Sequence, residues 1–309
     1  MLCPLCTAEV DEEKVLEEHG IYKLYECPGC RNGFWWPMKG QSADYYSHAV
    51  DSSYEARHEK LVPRINDQHR RFFELSDTKN GKLLDIGCAE GAFLKEAEKR
   101  YEVYGIDFDK NSITRAKHFG LENVFVQDLQ TFSKNTGSNS FDVVTFFGVI
   151  EHQEDPTQFI SQIKNLLVKG GGIAGSVPLH KSIKPAGGGD SDKPPHHFVL
   201  FTADGLRNFL ELNGFDNIIV DEIFGADQAR RATGVDANLL KKIFFINDDV
   251  GKNAIRYKFY STARRTGSLF LPLINTVFSI KSKSSGNENK IKNELDKQFI
   301  PLYFQADFK

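Results

Sequence analysis

The 309 residues contain no uninterrupted apolar stretch of the roughly 18–20 residues that a bilayer span requires. Met1 to Cys6 have neither the basic start nor the apolar core of a secretion signal, so a cytoplasmic protein is expected. A charge excess of one sign is missing too: the formal net charge is −3, which gives no global reason to bind nucleic acid. There is no G-x-x-x-x-G-K-[ST] phosphate loop, and nucleotide triphosphate hydrolysis has no support. What is present, 40% hydrophobic and 26% charged residues, is the composition of a folded protein with room for one large or two ordinary domains. The charge is unevenly spread. Residues 1–40 hold seven acidic and four basic side chains, whereas residues 225–297 hold seven acidic and fourteen basic ones.

Cysteine is scarce, but four of the five fall in two pairs, Cys3-Pro-Leu-Cys6 and Cys27-Pro-Gly-Cys30. This is the spacing of a structural zinc site, in which each tight turn aims two thiolates at one metal. Pro4, Pro28 and Gly29 suit such turns, and Ile21 to Glu26 alternates apolar and polar residues like the strand of a ribbon. Disulfides do not suit a reducing cytosol. With Cys3, Cys6, Cys27 and Cys30 as ligands the shell is closed, so zinc would fold residues 1–40 and leave no position open to substrate.

Residues 41–80 form an aromatic linker with Tyr45, Tyr46 and Tyr54 and a lead-in helix over Arg64 to Leu75. The tyrosines either pack against the next domain or wall a ligand pocket. From Gly81, short apolar runs alternate with helical segments, the mark of an α/β fold with a largely parallel sheet. Strands are expected at Lys82–Gly87, Glu102–Asp107, Asn123–Val126, Phe141–Phe147, Ile173–Pro178 and Asn217–Ile223. Helices are expected at about Ala92–Arg100, Lys110–Phe119, Pro156–Val168 and Ala203–Asn213. Asp109, Asp155 and Thr202 are placed to cap three of these helices, and Gly120 and Gly214 to end two.

Open α/β sheets bind ligands at the carboxyl ends of their strands. After the first strand comes Asp85-Ile-Gly-Cys-Ala-Glu-Gly91, a turn of small residues that lets backbone approach a ligand closely. Asp107, twenty residues past Gly87 at the end of the next strand, is placed to accept both hydroxyls of a ribose. A nucleoside ligand follows. The turn lacks the G-x-G-x-x-G of dinucleotide sites.

From Gly81 to Ile223 the sequence resembles class I S-adenosylmethionine-dependent methyltransferases, in the branch that includes ubiquinone biosynthesis and other small-molecule enzymes. Asp85 to Gly91 is similar to the family's D-x-G-x-G-x-G motif, with Ala89 in place of the middle glycine. Asp128 with Leu129 matches the acidic position at the adenine. Phe141-Asp-Val-Val-Thr-Phe-Phe-Gly-Val-Ile-Glu-His152, followed by Asp155-Pro156, resembles the family's fourth-strand motif. The resemblance implies a Rossmann-like seven-stranded sheet with helices on both faces over residues 81–309. It also implies a cofactor site of Asp85, Gly87, Cys88, Gly91, Asp107, Phe108, Asp128, Leu129 and Phe147. Pro194 to Thr202 is similar to small-molecule and sugar methyltransferases, and a four-cysteine module ahead of the domain resembles deoxysugar and surface-polysaccharide enzymes. Methyl transfer to an oxygen or nitrogen of a small molecule, a sugar or sugar-derived metabolite, is the expected reaction. RNA methylation is the competing reading, against which the ribbon is acidic where phosphate contacts need it basic. A third is cofactor binding without turnover.

A hydroxyl acceptor must lose a proton near neutral pH, which histidine can accept. His152 follows the fourth strand, and His196 and His197 lie in the loop after the fifth, so all three can face one crevice as candidate catalytic bases. Each can equally be a plain hydrogen-bonding partner. A metal site using Glu151 with His152 is disfavoured on the expectation that neighbours on a strand point apart. Cys88 lies in the cofactor turn with nothing basic beside it, and burial would leave it inert. The loop Leu179–Pro195, with Gly187, Gly188 and Gly189, is either a surface excursion or a lid over the acceptor. Phe299–Lys309 reads as a last antiparallel strand, which makes residues 225–297 a helical insertion. Within it Ser268–Lys281 is apolar with basic flanks. That segment packs over the sheet edge, forms a homodimer contact, or lies on an anionic membrane surface.

Overall fold

A computed structural model of the chain describes residues 1–40, 64–76, 80–180, 183, 193–223 and 301–308. The expectations for Tyr45, Tyr46 and Tyr54, for Gly187 to Gly189 and for the insertion 225–297 lie outside these residues. The described part forms one compact unit, Met1–Ile223 with Pro301–Lys309.

Three short strands open the chain: β1 (Glu17–His19), β2 (Tyr22–Glu26) and β3 (Gly33–Trp36). After them come α1 (Asp67–Leu75), β4 (Lys82–Ile86), α2 (Ala92–Ala97), β5 (Glu102–Asp107), α3 (Lys110–His118), β6 (Val124–Val126), α4 (Leu129–Thr136) and β7 (Phe141–Phe147). A 3-10 turn at Ile150–His152 leads to α5 (Pro156–Leu166), β8 (Leu167–Pro178), β9 (Val199–Leu200), α6 (Ala203–Leu212), β10 (Phe215–Glu222) and β11 (Pro301–Phe308). Seven strands form one sheet in the order β10-β11-β8-β7-β4-β5-β6. The strands from β6 to β8 pair in parallel, while β11 runs antiparallel between β8 and β10. This is the expected Rossmann-like sheet, with the chain's last strand inserted as its second-to-last member.

The period of two along each strand sends neighbouring residues to opposite faces. Leu83, Val143, Ala174 and Tyr303 share one core with Phe72 and Phe73 of α1, Phe93 and Leu94 of α2 and Ile113 of α3. Their neighbours Leu84, Val144, Ile173 and Phe304 share the other with Phe132 of α4, Phe159 and Ile163 of α5 and Phe209 of α6. Helices therefore cover both faces. Each fully buried Leu, Ile or Phe here contributes about 1.5–3 kcal/mol relative to an exposed one.

The amino-terminal module is built into this unit rather than tethered to it. Its strands form a second sheet, β1-β2-β3-β9, whose fourth strand comes from the loop after β8. Gly33 pairs with Leu200 and Phe34 with Val199, and the Trp35 amide donates to the Phe198 carbonyl at 2.9 Å. Asn32, wholly buried, accepts from the Thr202 amide at 3.0 Å, and Lys193 pairs with Glu17 at 2.6 Å.

Several boundaries differ from those expected. The lead-in helix starts at Asp67, where Asn66 and His69 form a reciprocal cap, rather than at Arg64. Helix α2 stops at Ala97, three residues short of Arg100. Strand β8 starts at Leu167 rather than Ile173, because Gly170, Gly171 and Gly172 continue the strand instead of releasing the chain into it. Helix α4 had no sequence counterpart. Half of its residues, two Thr with Ser133 and Asn135, are poor helix formers, and it is held by Asp128, whose carboxylate accepts from the Thr131 amide at 2.7 Å and the Thr131 hydroxyl at 3.0 Å.

Candidate functional site

The order of the sheet reverses between β4 and β7, and a crevice at such a reversal is where α/β sheets take ligands. The turn after β4 is tied down by its own backbone: the Gly87 and Cys88 amides both donate to the Ile106 carbonyl, at 2.8 and 3.1 Å. Gly87 and Gly91 have φ of +75° and +77°. A Cβ at either position would be strained at these φ values and would press on the Val149 or the Leu121 side chain, so both positions favour glycine. Ala89 also takes a left-handed conformation, φ +45°, which costs about 1–2 kcal/mol for a residue with a Cβ.

Asp107 stabilises that conformation. Its Oδ2 accepts from the Ala89 amide at 2.9 Å and its Oδ1 from the Asp109 amide at 2.8 Å, while burial holds its carboxyl above the usual range. Each oxygen keeps a second lone pair for a further donor. Beside it, just past the end of β5, Phe108 is 65% exposed. Asp85 is buried and accepts from the Thr145 hydroxyl at 2.7 Å; burial pushes its carboxyl up to about 8. Cys88 is buried, which raises its thiol and removes it as a nucleophile. Asp128 caps α4, Leu129 is buried in the core, and Phe147 packs edge-on against His69 at 4.6 Å and Phe93 at 4.9 Å. His69, which the sequence did not single out, is thereby placed beside the crevice-side end of β7, with burial pulling its pKa down to about 3.

The three candidate bases meet on the β7 side. His152 Nδ1 lies 2.7 Å from the His196 carbonyl, and the His152 and His197 rings are 4.6 Å apart at 72°. The Phe198 amide donates to the Glu151 carbonyl at 2.8 Å, stitching the two loops together. Burial lowers the pKa of His152. It takes His197 down to about 3, helped by the neighbouring His152, His180 and His196, and His180 down to about 4. Both His152 and His197 are therefore neutral at pH 7 and carry a lone pair. Glu151 belongs to the same group: it is 2% exposed, burial pushes it up to about 8, and its Oε2 has no hydrogen-bond partner. The expectation that Glu151 and His152 point apart fails because they lie on a 3-10 turn, not on a strand.

In the amino-terminal module, Cys3 and Cys30 Sγ are 3.9 Å apart and Cys6 and Cys27 Sγ 3.5 Å, none of the four in a disulfide. Tetrahedral zinc with bonds of about 2.3 Å sets its sulfurs about 3.8 Å apart. Both spacings match, and all four sulfurs lie within 4.8 Å of one another, so the donor set fits zinc. Burial pushes Cys27 up to about 11; the hydrogen bond between Cys3 and Cys30 raises the former and lowers the latter, to about 5. Four thiols this close cannot all ionise unless a cation takes up the charge.

Known proteins agree with this geometry. The methyltransferase-domain family matches residues 46–220. The ubiquinone biosynthesis O-methyltransferase of Haemophilus ducreyi is 28% identical over 207 residues, covering 60% of this chain and 83% of that protein. Its counterpart from Saccharophagus degradans is 32% identical over 143 residues, 40% of this chain and 61% of that protein. Among solved structures, phosphoethanolamine N-methyltransferase 2 of Haemonchus contortus with S-adenosylmethionine is 15% identical and covers 94% of this chain and 70% of its own, with a TM-score of 0.54. That last likeness is one of fold. Among the described residues, no helix is long and apolar enough to cross a membrane. The chain belongs to the methyltransferase-domain family, as a class I S-adenosylmethionine-dependent methyltransferase.

Proposed function

We propose that the chain transfers a methyl group to a hydroxyl oxygen of a small molecule, a sugar or sugar-derived metabolite, with structural zinc in its amino-terminal module. The observation that carries this reading is the meeting of His152 and His197 with Glu151 and the His196 carbonyl just past β7, the strand beside β4, whose end carries the Gly87–Gly91 turn. Bound S-adenosylmethionine supplies a methyl group on a positively charged sulfur. The chain's residues do the rest. The glycine turn lets backbone lie against the methionine end, Asp107 has lone pairs left for the ribose hydroxyls, and Phe108 offers a face for the adenine. Asp128, although it caps α4, keeps acceptor capacity toward the adenine amino group.

Transfer from a sulfonium is an in-line displacement, so alignment of the acceptor is the main demand and removal of its proton the second. A histidine held neutral by burial beside an acceptor hydroxyl meets the second, and the hydrogen bond from His152 to the His196 carbonyl fixes its ring. Support for oxygen as the acceptor atom comes from the two O-methyltransferase relatives; support for a small acceptor comes from the net −3 charge, which gives RNA phosphates little to bind. Incubation of the full chain with S-adenosylmethionine and a panel of sugar nucleotides, free sugars and phenols, read by mass spectrometry, should yield a product heavier by one methylene. Replacement of at least one of His152, His196 and His197 by Ala should slow it by about 10²–10⁴. Methylation of RNA alone, or cofactor binding with no product across the panel, contradicts the reading.

A further inference from the structure

An ion pair joins the first strand of the amino-terminal module to the turn that carries His196 and His197: Lys193 Nζ lies 2.6 Å from Glu17 Oε1. We propose that Glu17 and Lys193 are positioning residues, Glu17 holding Lys193 in place and the Lys193 backbone holding the two histidines against His152. The inference rests on the reading of this turn as part of the acceptor side, and it gives the module a role in the reaction besides its metal.

The run from Lys193 to Phe198 is tied at its start, middle and end. At the start, the Lys193 carbonyl accepts from the His196 amide at 3.0 Å and the His197 amide at 3.3 Å, so a displaced Lys193 takes both histidines with it. In the middle, His152 Nδ1 lies 2.7 Å from the His196 carbonyl. At the end, the Phe198 amide donates to the Glu151 carbonyl at 2.8 Å, and the Phe198 carbonyl accepts from the Trp35 amide at 2.9 Å. Pro194 and Pro195 have no N–H, so no backbone donor of theirs can fasten the start of the turn to its surroundings. That task falls to the Lys193 side chain.

Both partners are largely buried, with Lys193 16% and Glu17 15% exposed, so salt screens the pair little and removal of either charge leaves the other in a place that water reaches poorly. Glu17 is itself fixed, since it stands opposite Leu24 in the β1–β2 pair and the Leu16 amide next to it donates to the Leu24 carbonyl at 2.9 Å. A buried ion pair contributes little net stability compared with apolar side chains of the same size. What it supplies is one geometry. Groups misplaced by about 1 Å through a change remote from the chemistry slow a reaction by about 10²-fold, which is the scale on which this pair acts. The next residue on β1 gives the contrast: Glu18 pairs with Lys23 at 3.5 Å with both side chains at least half exposed, and such a pair holds little in place.

The test compares Glu17→Gln, Lys193→Met and the double variant with Glu18→Gln as control, all as zinc-replete full chain. Thermal melting verifies that each is folded at the assay temperature. Where a stranded charge unfolds a single variant, the double variant, which has none, carries the comparison. Nitrogen NMR of isotope-labelled histidine, assigned with His152→Ala and His197→Ala, reads the rings directly; calorimetry reads S-adenosylmethionine affinity, and mass spectrometry the rate of methyl transfer. In Glu17→Gln and Lys193→Met the His152 and His197 signals should move while that of exposed His118 on α3 stays, and kcat should fall by about 10²-fold with cofactor affinity kept. The double variant should be no slower than the singles, because the two side chains act as one unit, and Glu18→Gln should match wild type. Ring signals unmoved in the folded variants, losses that multiply in the double variant, or an equal loss in Glu18→Gln each overturns the proposal. Moved ring signals in a chain that methylates nothing in the acceptor panel keep the role of the pair and remove the proposed function. Methyl transfer by the variants at the wild-type rate does the reverse.

Discussion

Ala89 occupies the position where the family's motif has a glycine, and it takes the left-handed backbone that glycine would adopt freely. The hydrogen bond from its amide to Asp107 holds it there against about 1–2 kcal/mol of strain. Ala89→Gly should therefore raise stability, by under about 1 kcal/mol because the freer unfolded chain offsets part of the relief, with cofactor affinity kept. Chemical denaturation showing a loss instead would mean that the methyl group packs favourably in the turn. Asp85 makes a claim about pH. Its carboxyl is raised by burial from 3.8 to about 8, so the folded chain holds this proton more tightly than the unfolded one. The contribution to stability is then full below about pH 4 and is lost as pH rises through about 8. Melting of the cofactor-free chain should show wild type falling relative to Asp85→Asn as pH climbs through that window. Parallel profiles would place the proton elsewhere.

At the scale of elements, β9 links the cysteine module to the histidine loop. Two residues after His197 the chain enters this strand, which pairs with β3, and β3 follows directly on the turn of Cys27 and Cys30. Zinc removal should loosen β3, release β9 and leave His197 unpositioned. Dialysis against a strong chelator under reducing conditions is expected to release about one zinc per chain from the cysteine module and to abolish methyl transfer, while S-adenosylmethionine still binds. Full activity in zinc-free protein would contradict the coupling. The four cysteines were legible in the sequence; their link to the histidine loop was not, because a pairing between Gly33 and Leu200 has no local signal. Helix α4 escaped for a different reason: Thr131, Ser133, Asn135 and Thr136 carry little helical tendency, and the Asp128 cap and the burial of Leu129 and Phe132 hold the segment. The strands β4, β5 and β7 were legible almost to the residue because short apolar runs between glycines and charged residues leave no competing period.

For the molecule as a whole, the glycine turn and Asp107 come from local patterns that chain order preserves, whereas the acceptor side is assembled from two loops, those after β7 and β8. His152, His196 and His197 could be named individually in advance. Their meeting with Glu151, and the burial that keeps His152 and His197 neutral, required the fold. We propose that the turn after β4 and Asp107 together form the site for S-adenosylmethionine. It is tested most directly by calorimetric titration of S-adenosylmethionine into the wild-type chain and into Asp107→Ala. One site per chain is expected, with affinity in the variant weakened by about 1–3 kcal/mol, since the carboxylate anchors the Ala89 amide and, on the proposed function, would accept the ribose hydroxyls. No binding to the wild type, or equal affinity in the two proteins, would contradict it.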